Sequence, residues 1–186
     1  MVYVALLRGI NVGGNNKIDM KELKKTFERV GMNNVKTYIN TGNIIYTHQT
    51  MTKGEMVSLL EEAIHADFGL HIRVVVRSLN EFRNVIDALP DTWVNDQTMK
   101  CDVLFLWDEV NDESVMEQLP LKPEIDRVVY APGAVIWSSD RENVTKSGLS
   151  KIIGTKLYKL ITVRNVNTTR KIYELMQAAE QTSTDH

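Results

Sequence analysis

The apolar positions change period along the chain, and each change predicts an element. Residues 2–9 form a continuous apolar, β-branched run, the pattern of a strand buried on both faces. Asp19 then offers an N-cap, and Met20, Leu23, Phe27 and Val30 recur at helical spacing until Gly31 ends the helix. Residues 35–40 and 44–48 return to strand composition on either side of Thr41-Gly42-Asn43, a hairpin signal. Met56, Leu59, Leu60, Ala63, Ile64 and Phe68 line one face of a second helix that stops at Gly69, and residues 72–76 close the set as a strand. The order βαββαβ is that of the ferredoxin-like split βαβ unit.

A helix over 79–89 leads into a near repetition of this order. Residues 102–107 read as a strand, 113–119 as a short helix, and 127–130 with 135–139 as a hairpin turning at Pro132-Gly133. Residues 151–160 and 165–179 read as helices, so the second half is βαββα unless 160–163 supplies a last strand. The fold class expected is α+β, with a ferredoxin-like N-terminal subdomain packed with a second, related α+β subdomain. The boundaries are 1–78 for the first subdomain, 79–100 for a helix and linker, and 101–180 for the second, with a polar, disordered tail at 181–186. The repeated order raises internal duplication, which pattern alone does not establish.

Composition narrows the class. One Cys in 186 residues excludes a disulfide framework and fits a reducing cytosol. No run reaches the roughly 18 apolar residues of a membrane span, and Met1 leads straight into a strand pattern instead of a signal peptide, so the expected location is cytoplasmic with no membrane partner. The formal net charge of −2 excludes a uniformly basic nucleic-acid binder. That balance hides segments of +2 over 1–89, −7 over 90–147 and +3 over 148–186, and all four prolines and all three tryptophans lie between 90 and 137.

Geometry then collects the unusual residues. In a split βαβ unit the first two strands run parallel, so their C-terminal ends share one edge. That brings together the loop Arg8-Gly9-Ile10-Asn11-Val12-Gly13-Gly14-Asn15-Asn16-Lys17 and the turn Asn40-Thr41-Gly42-Asn43, beside a helix N-terminus. Arg8 and Lys17 as cations, with Asn11, Gly13, Gly14, Asn40, Thr41 and Asn43 as backbone or side-chain donors, could cradle an anion. The same composition also suits a plain turn-rich connection. Neither GxxxxGK[ST] nor GxGxxG fits, so no phosphate loop and no Rossmann cofactor site is expected, and no cofactor is assigned. A second polar stretch lies in 148–173, which holds six basic residues and no acidic one. Within it Arg164, Asn165, Asn167 and Thr168 form a candidate second anion-contacting wall, with Asn167 or Thr168 as N-cap of the last helix. The alternative is a solvated basic face that complements the acidic middle of the chain.

Other chemistries find little support. His48, His65, His71 and His186 lack metal-ligand spacing, so no metal site is expected. Cys101 opens an apolar strand as a buried thiol, no GxSxG elbow occurs, and Glu61 with Glu62 reads as solubilising charge. Catalytic residues are unassigned. Tyr3 and Tyr46 fall where RNA-recognition domains stack bases, although the rest of that consensus is missing.

The stretch 5–14, Ala-Leu-Leu-Arg-Gly-Ile-Asn-Val-Gly-Gly, together with Thr41-Gly42-Asn43 and Arg164-Asn165-Val166-Asn167-Thr168, resembles the bacterial domain of unknown function family 1697. Val166 stands where members of that family commonly carry Trp. The resemblance spans nearly the whole chain. It implies a ferredoxin-like N-terminal subdomain joined to a second α+β subdomain in a small cytosolic protein, and it implies no established activity. The expected function is binding of an anionic ligand: a nucleotide, a phosphorylated metabolite or nucleic-acid phosphate. The alternatives are an enzyme acting on a phosphorylated or carboxylated small molecule, and an interaction module whose polar motifs only fix the fold. Oligomeric state is open.

Overall fold

The computed structural model describes residues 1–184 and is a mixed α+β protein with two four-stranded antiparallel sheets. Two compact units divide the chain: residues 1–80 with the helical residues from Ile172 onward, and residues 81–171.

The first unit runs β1 (Val2–Leu7), α1 (Met20–Arg29), β2 (Asn33–Tyr38), β3 (Asn43–Thr47), α2 (Lys53–Phe68) and β4 (Val74–Ser78), with sheet order β2-β3-β1-β4. Every residue of β1 is buried, as its continuous apolar run predicts. Asp19 caps α1 by accepting from the Lys21 and Glu22 amides at 2.8 and 3.1 Å. Thr52 and Glu55 form a reciprocal capping box on α2, and Gly69 closes it. Tyr3, Ala5, Leu7, Ile44 and Tyr46 share one core with Leu23 and Phe27 of α1 and Met56, Leu60 and Ile64 of α2. Tyr3 and Tyr46 stack at 5.8 Å, Phe27 meets Tyr46 edge-on, and burial pushes the Tyr46 phenol far above its usual range. Both tyrosines are thus closed off beneath their own helices, which removes the base-stacking reading of these positions.

Several strand boundaries differ from the sequence pattern, two of them for a visible reason. β2 stops at Tyr38 because Ile39 adopts φ 47°, which no strand accommodates. β4 starts at Val74, whose amide donates to Glu61 Oε1 at 3.0 Å, so Glu61 anchors a strand start instead of only solubilising its helix.

α3 (Leu79–Ala88) leads into the second unit: β5 (Met99–Leu106), β6 (Arg127–Ala131), β7 (Ala134–Asp140), β8 (Ile161–Asn165) and the start of α4 (Val166–Thr184). The sheet order is β6-β7-β5-β8, and β8 is the last strand that the sequence pattern left open. The expected helices over 113–119 and 151–160 are 3₁₀ turns: Glu113–Gln118, then Arg141–Lys146, Gly148–Gly154 and Lys156–Leu160. Asn165, not Asn167 or Thr168, caps α4 by accepting from the Thr168 amide at 2.9 Å. α4 continues through Gln181 to Thr184, the stretch read as a disordered tail, while residues 185 and 186 lie outside the described residues.

The two units repeat one wiring, hydrogen bond by hydrogen bond. Leu7 N–H donates to Gly42 O and Leu106 N–H to Gly133 O, both at 2.9 Å. Arg8 N–H reaches Arg73 O and Trp107 N–H reaches Leu160 O, both at 3.0 Å. Gly42 and Gly133 carry φ of 90° and 98°, a region in which glycine is at ease. Val76-Arg77-Ser78 ends β4 and Val163-Arg164-Asn165 ends β8; each buried arginine donates to the carbonyl of the residue before it. This alignment pairs Tyr3 with Asp102 and Tyr46 with Trp137, which face each other in register in both sheets. The order of elements and these matched bonds support an internal duplication.

Candidate functional site

The loop after β1 is a small, braced hairpin. Asn11 N–H donates to Asn16 O at 3.1 Å and Asn15 N–H to Val12 O at 2.9 Å. Gly13 and Gly14, at φ 56° and 78°, form the two-residue tip, whose backbone twist calls for positive φ at both positions. Asn11 Nδ2 donates to Ile18 O at 3.1 Å and to Asn40 O at 2.8 Å, and Asn11 Oδ1 accepts from Ile18 N–H at 2.9 Å. Asn16 Nδ2 donates to Gly9 O at 2.9 Å. The predicted juxtaposition of this loop with the 40–43 turn is therefore present, held by Asn11 itself.

The candidate donors sort into two groups. Asn43 is fully buried, and its amide donates to Tyr38 O and to Thr41 Oγ1 at 3.0 and 2.9 Å. With Asn11 and the Asn40 carbonyl it belongs to the brace. In the second unit Asn111 plays a similar part, accepting from Gly133 N–H at 2.7 Å and Tyr130 O–H at 3.1 Å. A turn-bracing asparagine thus recurs in the unit that has no Gly-rich loop. Replacing Asn11 by Ala removes three hydrogen bonds and should lower stability by about 2 kcal/mol, read as a lower urea midpoint. What has no counterpart in the second unit is the tip. Among the described residues the Gly13 and Gly14 N–H groups have no hydrogen-bond partner, Lys17 is exposed, and Arg8 is half-buried with its backbone N–H on Arg73 O. Val12 and Ile39 lie exposed on either side of the Asn11–Asn40 contact. The N-terminus of α1 adds nothing for an anion, because the Asp19 carboxylate already occupies its first amides.

The second polar stretch is internal to its unit. Arg164 is 6% exposed, donates to Thr162 Oγ1 and Val163 O, and burial lowers its pKa to about 10. Asn165 caps α4, and Asn167 Nδ2 donates to Asn95 O at 2.8 Å. Thr168 is at the edge of burial, with its amide on Asn165. Arg164 and Thr168 are thus buried, while Asn165 is half-buried and Asn167 exposed beside the bonds they make.

Residues 1–137 match the family described as "Protein of unknown function (DUF1697)". The chain belongs to that family. A solved structure, that of the conserved bacterial protein SP0830 from Streptococcus pneumoniae, is 30% identical to it. The two superimpose with a TM-score of 0.80 over 94% of this chain and 98% of that one. No curated protein matches. The family therefore fixes the fold and leaves the activity to be argued from side chains.

Among the described residues of this family member no group of His, Cys, Asp and Glu could hold a metal ion, and no helix is long and apolar enough to cross a membrane. His65 and His71 stack on each other at 4.1 Å. Cys101 is buried, and burial with Asp102 beside it pushes its thiol up to about 12, which keeps it protonated and unreactive. Sequence reasoning missed one feature, a cavity of about 260 Å³ in the second unit, lined in part by Lys100, Asp102 and Ser139. Its signal was present in the strand pattern. Positions 100, 102, 104 and 106 alternate onto one face of β5, and the first two are charged where the next two are Leu.

Proposed function

We propose that this protein binds an anionic group, such as the phosphate of a nucleotide, a metabolite or a nucleic acid, at the tip of its 9–17 loop. One observation carries the reading: the unengaged Gly13 and Gly14 amides project from a hairpin held by Asn11 and Asn16, next to exposed Lys17. A braced loop loses little conformational freedom on binding, so its amides and one lysine can hold an anion without first being ordered. The contact set is narrower than the polar composition implies. It consists of Gly13, Gly14 and Lys17 with Arg8 alongside, while Asn11, Asn40, Thr41 and Asn43 set the geometry. Ferredoxin-like is the description we favour for the first unit, supported by its βαββαβ order and its strand order.

Thermal shifts with pyrophosphate, nucleotides and a short RNA provide the test, since a ligand at 100 Kd stabilises by about 2.7 kcal/mol. Stabilisation of the native chain that Lys17→Glu weakens by about tenfold or more is the expected result. No shift with any of these probes, or a shift indifferent to Lys17→Glu, would leave the loop as a structural connection.

A further inference from the structure

We propose that the second unit contains a separate binding site for a small carboxylic acid with a compact apolar body, anchored on Lys100. The floor is the core face of β5 and β8. There Lys100 Nζ pairs with Asp102 at 2.9 Å, and the Asp102 side chain is only 8% exposed. The roof is the 3₁₀ segment that includes Leu149, Ile152 and Ile153, and the cavity between them measures about 260 Å³.

The internal repeat shows that this cavity is a departure and not a necessity of the fold. In the first unit the place of Asp102 belongs to Tyr3, which stacks on Tyr46 and fills the core under the continuous helix α2. In the second unit the aromatic ring is replaced by a short carboxylate, and the helix by three short 3₁₀ turns. Together these changes open space over a charge pair whose carboxylate is buried and whose lysine is 31% exposed. Such a half-buried ion pair is a poor way to stabilise a core, since apolar residues of similar volume usually do as well or better. Its placement on the core face of a central strand, at the wall of an apolar cavity, is better suited to holding a ligand.

The charge around the cavity selects the ligand. Over 141–160 the roof segment carries Arg141, Lys146, Lys151, Lys156 and Lys159 against Glu142, and with the Asp126 carboxylate bonded to Ser147 and Gly148 the roof remains net positive. That field favours an anion and disfavours an amine. Lys100 has three donors, of which Asp102 holds one in place, so the ammonium can be oriented by Asp102 while it accepts a second carboxylate. The volume lies just below the usual range of about 300–1,000 Å³ for small-molecule sites, so the apolar body must be small, on the scale of benzoate or hexanoate.

The experiment is titration of the full chain with benzoate and hexanoate, and with benzyl alcohol and benzylamine as matched neutral and cationic probes, followed by heat and by amide NMR shifts. Both acids should bind with shifts confined to 99–106 and 141–163, and the alcohol should bind about tenfold more weakly or worse. Lys100→Arg should retain acid binding, whereas Lys100→Gln should weaken it by about tenfold or more. Because Lys100→Gln leaves Asp102 unpaired, Val163→Trp provides an independent arm. Val163 lines the cavity on an edge strand at 36% exposure, so the larger ring should block binding while circular dichroism stays native. Confinement of the shifts to 99–106 and 141–163 separates this site from the loop of the first unit. Equal binding of the amine or the alcohol, binding unaffected by Val163→Trp in a native fold, or no binding of either acid up to about 10 mM would overturn the proposal.

Discussion

Replacing Gly148 by Ala should reduce the stability of the second unit by about 3 kcal/mol or more and lower the thermal midpoint by roughly 10 °C. Gly148 is buried at the start of the middle 3₁₀ turn, and its backbone φ is ordinary, so conformational freedom is not the issue. Space is. A Cβ on Gly148 would lie 1.7 Å from the Pro120 carbonyl oxygen, 2.7 Å from its carbon and 3.1 Å from Asp126 Oδ2. The first two are backbone atoms in a segment stiffened by Pro120 and Pro123, whose fixed φ angles limit how far the chain can retreat. Nor can Gly148 itself retreat freely, since its N–H donates to Asp126 Oδ2 at 2.8 Å. Either the 120–126 segment or the 3₁₀ roof must move, and both border the core of Leu104, Val135, Trp137 and Ile152. Chemical denaturation of the native chain and Gly148→Ala side by side would measure this. Equal midpoints would mean that the roof shifts at no cost. By contrast Gly54→Ala, at a helical position with open space around it, should be neutral or slightly stabilising.

The fold was legible in the sequence wherever one periodic signal was long and sharply punctuated. Asp19, Gly31 and Gly69 marked ends of α1 and α2, and the unbroken apolar run of β1 announced burial on both faces. Legibility failed where tertiary context overruled a local pattern. Ile39 reads as strand, yet it takes a left-handed conformation to turn the chain toward Thr41-Gly42-Asn43. Residues 148–160 carry enough Leu, Ile and Lys for an α-helix, but the Ser147–Asp126 bond, the packing of Gly148 and the interruption at Gly154-Thr155 divide them into 3₁₀ turns.

For the candidate site, composition correctly brought the 9–17 loop to the 40–43 turn. It could not separate asparagines that brace from groups that reach outward, because both are polar and both suit positive φ. Only the bonding of Asn11 to Asn40 O and Ile18, and the matching role of Asn111, draw that line. Arg164 illustrates the reverse error. A basic residue in a basic stretch reads as surface charge, but its register opposite Val103 on β5 buries it. The repeated order of elements was legible, but its support from matched hydrogen-bond positions and strand order was not, because the residues at most matched positions differ.

Removing the Asp126 carboxylate, as in Asp126→Ala, should cost about 3 kcal/mol at neutral pH and less in acid. The side chain is 7% exposed and closes a clasp between two segments far apart in sequence. Oδ1 accepts from the Ser147 hydroxyl at 2.5 Å, while Oδ2 accepts from the Gly148 and Lys122 amides at 2.8 and 3.0 Å. The Trp137 indole lies close by without a well-formed hydrogen bond. Burial by itself pushes the Asp126 pKa up. The hydroxyl, indole and two amides together outweigh it, and the carboxyl sits below its ordinary value. The sign of the pH dependence follows from that lowering. In the unfolded chain Asp126 takes up its proton near pH 4, whereas in the folded chain the charged form persists to lower pH. Its contribution is complete above about pH 4 and disappears as pH falls through the lowered folded value. Truncation leaves two amides and one hydroxyl buried without their acceptor, which is why the loss should exceed that of an ordinary surface hydrogen bond. Urea midpoints of native chain and variant, taken at steps from pH 7 to pH 3, should differ more at neutral pH than in acid. A gap that stays constant over that range would mean that the clasp does not depend on the charge of Asp126, and a gap that widens in acid would reverse the direction of its pKa shift. Since Ser147 also borders the cavity over Lys100, the same variant should loosen the 3₁₀ roof, seen as faster amide exchange over 147–154 before global unfolding.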